Sequence, residues 1–254
     1  MLLKTILVSL LLISKAIAFD HSLWDVELKK YIHPSKEGHG TQVNYLLWKK
    51  KITPLNTYLK SLSALSLSEF EKFDHNEKSA FLINAYNSFT VKLILKHYPV
   101  KSIKNIGSFF SSPWKKKFFH FLGRKSSLDY IEHQLIRKKY GITMAHFSIV
   151  CASISCPPLM PYAFTQKNLS ASLKKGASNF LYDSSKNRWD KKKGVLYLSK
   201  IFDWFEGDFN QSYHSVKKFL VPYLTKNKNE ENILMSQKTK IKYLNYDWKL
   251  NDYK

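Results

Sequence analysis

The chain has 254 residues, 44% hydrophobic and 15% aromatic, so a sizeable core can be built, and no Pro/Gly/Ser-rich linker splits it into separate parts. Lysine and arginine number 41 against 19 acidic residues, a formal net charge of +22. That excess suggests nucleic acid, but only Arg124, Arg137 and Arg188 are arginines and the lysines are scattered, so no nucleic-acid partner is expected. A solvated lysine surface that can touch anionic lipid or cell-wall polymer is the simpler reading.

Residues 1–18 read as a secretory signal peptide: Lys4, an apolar run from Ile6 to Ile13, and Ala16-Ile17-Ala18 as a small-x-small cleavage site. The run is too short to span a bilayer. Lys15 lies close to the cleavage site, which leaves retention as an uncleaved anchor as the other outcome. The expectation is an exported protein, periplasmic or secreted, whose mature chain starts near Phe19 and forms one domain over residues 19–254. Such compartments oxidise, which raises the weight of a disulfide.

In chain order, Leu23 to Tyr31 and Tyr45 to Leu62 carry amphipathic helical patterns, with Lys36 to Gly40 as the polar loop between them. Another helix starts at Ser66, and Asp74 or Asn76 is placed to cap the next. Residues 79–98 are apolar nearly all round until Pro99, which predicts a helix buried at the centre of the domain. Asn84 and Asn87 share one face of it, and buried amides must find partners. They either brace a neighbouring loop or belong to a reactive site.

A strand is expected over Lys117 to Leu122, turning at Gly123-Arg124. A helix follows from Leu128 to Tyr140, capped by Ser126 or Ser127 and stopped at Gly141. Glu132 and His133 border its apolar stripe. Thr143 to Val150 alternates like a strand, which would put His146 and Cys151 on opposite faces unless the chain turns at Cys151. Pro157-Pro158 cannot continue a sheet. Beyond it, Gly194 to Leu198 reads as a strand, Asp208 as a cap for a helix from Gln211 to Leu224, Asn227 to Lys240 as a polar surface loop, and Ile241 to Trp248 as a terminal strand. The whole predicts an α+β fold, helix-rich, with a small, mainly antiparallel sheet.

Both cysteines lie between His146 and Leu159, and three readings compete. Cys151 and Cys156 can close a disulfide. Cys151 can be a nucleophile, with His146 or His133 as base, Glu132, Asn84 or Asn87 orienting it, and backbone amides around Ser153 and Ser155 holding an oxyanion. As zinc ligands, two cysteines and a histidine lack a fourth partner, so neither metal nor cofactor is expected.

The run Ala80 to Asn87, Tyr98 to Ile103, Pro113 to Phe119, Leu128 to His133 and His146 to Leu159 together resemble the DUF547 family. The similarity extends to Leu198 to Phe205 with Asp208-Phe209, and to Tyr243 to Asn251. Leu82 departs from the tryptophan of that pattern, a change of packing. The family's function is unknown, so the resemblance implies little chemistry. In similar plant proteins the position matching Cys151 is cysteine and that matching Cys156 is often serine, which implies that Cys151 is the special thiol. Two functions follow as expectations. One is a thiol-dependent hydrolase or acyl transferase acting on an unknown substrate such as peptide or cell-wall material. The other is a non-catalytic binding domain with a Cys151-Cys156 disulfide and a basic surface.

Overall fold

The computed structural model describes residues 18–35, 40–107 and 111–253. Most of the expected signal peptide and of the Lys36 to Gly40 loop therefore lies outside the described residues. The N-terminal part is helical. Helix α1 (Ser22–Tyr31) leads into a two-stranded hairpin, β1 (Ile32–Pro34) with β2 (Thr41–Val43), followed by α2 (Tyr45–Lys50), α3 (Thr53–Ala64) and the short α4 (Leu67–Glu71). The single helix expected from Tyr45 to Leu62 is two, because α3 begins afresh with Pro54 in its first turn, where proline's missing N–H costs nothing. At α4, Ser66 and Glu69 form a reciprocal capping box.

Helix α5 (His75–His97) is the predicted central helix. Asp74 caps it by accepting the Glu77 N–H at 2.9 Å. Its residues from Ser79 to Val91 are all buried, and Tyr98 leaves it in extended backbone because the residue before a proline is pushed out of the helical region. Aromatic side chains from its neighbours close on it, among them Phe119, whose ring stacks on Phe89 at 3.7 Å.

Strands β3 (Phe119–Phe121) and β4 (Arg124–Ser126) form a hairpin that turns at Leu122-Gly123, both with positive φ. Ser127 accepts the Tyr130 N–H through Oγ at 3.2 Å, and a helix with π-type wide turns runs over Tyr130–Lys139 to a left-handed Gly141. The strand expected at Thr143 to Val150 is absent. Residues Thr143–Phe147 form a 3-10 turn instead, and α6 (Leu169–Leu181) packs across it. Gly176 permits that contact, since a Cβ there would lie 2.7 Å from the Phe147 carbonyl oxygen.

A three-stranded sheet follows, with β5 (Arg188–Asp190) antiparallel to β6 (Val195–Leu198). Then come α7 (Ile201–Trp204), α8 (Glu206–Tyr213), α9 (Val216–Leu224) and α10 (Lys228–Met235), and β7 (Lys240–Tyr243) closes the sheet parallel to β6. The fold is α+β and helix-rich, with its strands in small, mainly antiparallel sheets. Where a surface loop was expected there is α10, capped by Asn227, which accepts the Glu230 N–H at 3.0 Å. After β7 the chain is a strap rather than a strand. Its carbonyls at Asp247 and Lys249 accept the N–H groups of Ser155 and Ile154, and Asn251 N–H donates to Ala152 O.

The core gathers in two apolar clusters, one around α5 and one around Phe147, Phe202, Phe209 and Phe219. The segment from His146 to Cys156 runs along the seam between them.

Candidate functional site

A cavity of about 220 Å³ opens at that seam, lined by residues that include Glu132, His133, His146, Cys151 and Cys156 together with Trp204, Tyr246 and Trp248. Sequence reasoning singled out the first five, and the fold brings them to one place. The 146–151 segment is held from beneath by Asn87, whose Nδ2 donates to Ser148 O at 2.8 Å while its Oδ1 accepts the Val150 N–H at 3.0 Å. Asn84 treats Phe164 the same way, donating to its carbonyl at 2.7 Å and accepting its N–H at 3.0 Å. Neither amide touches an imidazole. They brace the loops that present the site.

The chain does turn at Cys151. Ala152 has φ +60, which ends any strand parity. Cys151 and Cys156 are free thiols, and Cys156 Sγ accepts the Cys151 N–H at 2.9 Å. Cys151 is half-buried, with Ser153 Oγ 3.0 Å and Tyr246 Oη 3.2 Å from its sulfur. Burial by itself pushes the Cys151 thiol up. Hydrogen bonds to its sulfur from the Cys156 thiol, the Ser153 and Tyr246 hydroxyls and the Ser153 amide outweigh that and bring it down to about 7. Burial holds the Cys156 thiol up instead, reinforced by its bond with Cys151 and by that sulfur's charge. Tyr246, whose phenol burial raises well above its ordinary range, stays a donor.

The two histidines are not equivalent. Arg137 donates from Nη1 to His133 Nδ1 at 2.7 Å, so the basic nitrogen of that ring is occupied. His146 is buried, and its Nε2 lies 2.7 Å from Asp208 Oδ2. Burial raises the Asp208 carboxyl, but the hydrogen bonds and charges of His146 and Arg137 more than reverse this and hold it well below the usual carboxylate range. An ionised Asp208 can only accept, so His146 carries its proton on Nε2 and keeps Nδ1 as the basic nitrogen. Arg137 grips the same carboxylate in a fork, Nε to Oδ2 at 2.6 Å and Nη2 to Oδ1 at 3.0 Å. Phe205 stacks on the His146 ring at 4.1 Å and fixes its plane.

Asp208 caps no helix: it lies inside α8 and turns its carboxylate to His146 and Arg137. The residue that orients His146 is therefore Asp208 rather than Glu132, Asn84 or Asn87. Glu132 accepts a hydrogen bond from the Tyr86 hydroxyl at 2.8 Å. Of the loop amides expected to hold an oxyanion, that of Ser155 is spent on Asp247 O, whereas that of Ser153 is directed at the Cys151 sulfur. Ser155 Oγ accepts the Asp247 N–H at 2.8 Å and so anchors the strap. Sequence reasoning missed Arg137 and Tyr246 as site residues. The only local signal for Asp208 and Tyr246 was their place in aromatic-acidic motifs. Among the described residues, no three histidine, cysteine or carboxylate side chains converge to hold a metal.

Fold and site together define a helix-rich α+β protein with a free, acidified thiol and a carboxylate-bound histidine on one cavity wall. Residues 70–181 match the DUF547 family, a protein family of unknown function. The matched segment runs from α4 to the end of α6 and contains Asn84, Asn87, Glu132, His146 and both cysteines, while Asp208 and Tyr246 lie beyond it. No curated protein and no solved structure matches the chain significantly.

Proposed function

We propose that this protein is an exported thiol-dependent hydrolase or acyl transferase in which Cys151 is the nucleophile. The observation that carries the reading is a free thiol brought down to about 7 on the wall of a cavity that His146, with its Nδ1 left basic by Asp208, also lines. His146 takes the Cys151 proton through Nδ1, and the thiolate attacks a carbonyl carbon. The leaving group departs with that proton, leaving an acyl thioester on Sγ. Water or a second acceptor then attacks, gives its proton to His146, and releases the acyl group as the thiol reforms. The Tyr246 hydroxyl and the Ser153 amide, both directed at the sulfur, are the donors for the transient oxyanion.

Removal of a leader after Ala18 belongs to the same reading. It is supported by Phe19, whose backbone nitrogen donates to Glu77 Oε1 at 2.7 Å, with Glu77 itself buried. Cleavage would turn that amide into an ammonium group already facing a carboxylate. N-terminal sequencing of the exported protein should begin at Phe19.

The catalytic reading is tested by incubating the protein with p-nitrophenyl acetate and locating acetyl groups by mass spectrometry. An acetyl thioester on Cys151, lost in Cys151→Ala and formed more slowly in His146→Ala, is the expected result. No adduct, or complete protection of both thiols from iodoacetamide in the exported protein before reduction, would sink it in favour of a binding domain with a Cys151-Cys156 disulfide.

A further inference from the structure

Glu132 is a buried carboxyl group with no basic partner among the described residues. It is 8% exposed, lines the cavity, and has the Tyr86 hydroxyl on Oε2 at 2.8 Å. It forms no ion pair among the described residues, in a chain with 41 lysines and arginines. The nearby Arg137 is committed to Asp208 and His133. Tyr86 neutralises nothing, because burial first and the Glu132 charge second hold its phenol well above its ordinary range and keep it a neutral donor. A buried carboxylate left unpaired is costly, and proteins retain one where something else completes it.

The rest of the cavity indicates what completes it. Trp204, Tyr246 and Trp248 form a continuous aromatic wall, with Tyr246 and Trp248 ring centroids 4.5 Å apart and Trp204 stacked on Trp248 at 5.7 Å. Aromatic faces attract cations, as Trp248 does Lys104 Nζ at 3.9 Å from its centroid, and tolerate alkyl chains, but offer nothing to an anion. Ile149, Val150 and Ile201 supply further apolar surface. We propose that this cavity binds an alkylammonium group, such as a lysine side chain, with Glu132 as its counter-ion and the aromatic wall around its methylenes. The inference rests on the thiol reading only in making that group part of the substrate presented to Cys151. It narrows the substrate to a cationic one.

The test uses the tryptophans at the cavity and is independent of any activity. Fluorescence of the full exported chain is titrated with n-butylammonium chloride, n-butanol and sodium butyrate at constant ionic strength. Saturable quenching by butylammonium, at least about tenfold tighter than by butanol and with butyrate excluded, is expected. Glu132→Gln keeps the shape and the acceptor for Tyr86, and should weaken butylammonium about tenfold while leaving butanol unchanged. Equal binding of the three probes by the native chain overturns the proposal without reference to any variant. So does an unchanged butylammonium affinity in Glu132→Gln. Iodoacetamide labelling of Cys151 in the same samples separates the two readings. Cation binding with an unreactive thiol removes the enzyme and keeps the ligand class, whereas a reactive thiol without cation selectivity does the reverse.

Discussion

His146 Nε2 and Asp208 Oδ2 stand 2.7 Å apart, although 62 positions separate the residues in the chain. This contact sets which imidazole nitrogen is basic, and Arg137 holds the carboxylate from the other side. Asp208→Asn keeps the shape but can donate to Nε2, which favours the tautomer protonated on Nδ1. Acylation of Cys151 by p-nitrophenyl acetate should then fall on the order of 10⁴-fold with little change in far-ultraviolet circular dichroism.

The thiol makes a second prediction. Only the thiolate is alkylated, and a pKa of about 7 places Cys151 largely ionised above neutrality, where an ordinary cysteine near 8.5 is not. The rate of iodoacetamide labelling, followed by peptide mass spectrometry against pH, should rise through a midpoint near 7. Tyr246→Phe and Ser153→Ala each remove a hydrogen bond that favours the thiolate, so each should move the midpoint upward. An unchanged midpoint in both would assign the lowering to the Cys156 thiol and the Ser153 amide instead of these hydroxyls.

Asn87 supports the site through the backbone. In Asn87→Ala the Val150 N–H and the Ser148 carbonyl lose their buried partner, at about 1–3 kcal/mol per unsatisfied group. For a chain of this length that corresponds to a melting temperature about 5–10 °C lower, read by thermal circular dichroism. Asn87→Asp keeps the acceptor for Val150 but sets a buried carboxylate oxygen against the Ser148 carbonyl, so it should be no more stable than Asn87→Ala.

Acid stability is linked to His21. Buried, with its Nδ1 2.7 Å from the Tyr58 hydroxyl, its imidazole is lowered by desolvation to about 3. The folded state therefore leaves it neutral where the unfolded chain, titrating near 6.5, takes up a proton. Stability from this residue is complete above about pH 6.5 and declines by up to about 1.4 kcal/mol per pH unit from there down to about pH 3. Urea unfolding from pH 7 to 4 should show that slope, and His21→Gln should remove it. A parallel slope in the variant would rule out His21 as its source, and Asp208 is not the alternative, since its stabilisation is present above about pH 4 and fades only below that range.

Local signals carried much of the fold. The caps at Ser66, Asp74 and Ser127 and the stop at Gly141 are legible because the residue types that satisfy orphan helix N–H groups, or tolerate positive φ, are few. Alternation misled at Thr143 to Val150. His146, Phe147, Ser148 and Val150 are buried on all sides, so their pattern reports packing between two clusters rather than a pleated strand.

The sequence by itself determined the helix-rich α+β fold, the central buried helix and the match of residues 70–181 to DUF547, and it confined sulfur chemistry to Cys151 and Cys156. Periodicity, capping and ordered motifs are properties of neighbouring residues, and a single chain displays them. Only the tertiary structure decided that Asp208 serves His146 and that Tyr246, 95 positions away, serves Cys151. Those pairings arise when α8 and the C-terminal strap pack across the 146–156 segment, and contacts closed over such loops leave no periodic trace in the residues that make them.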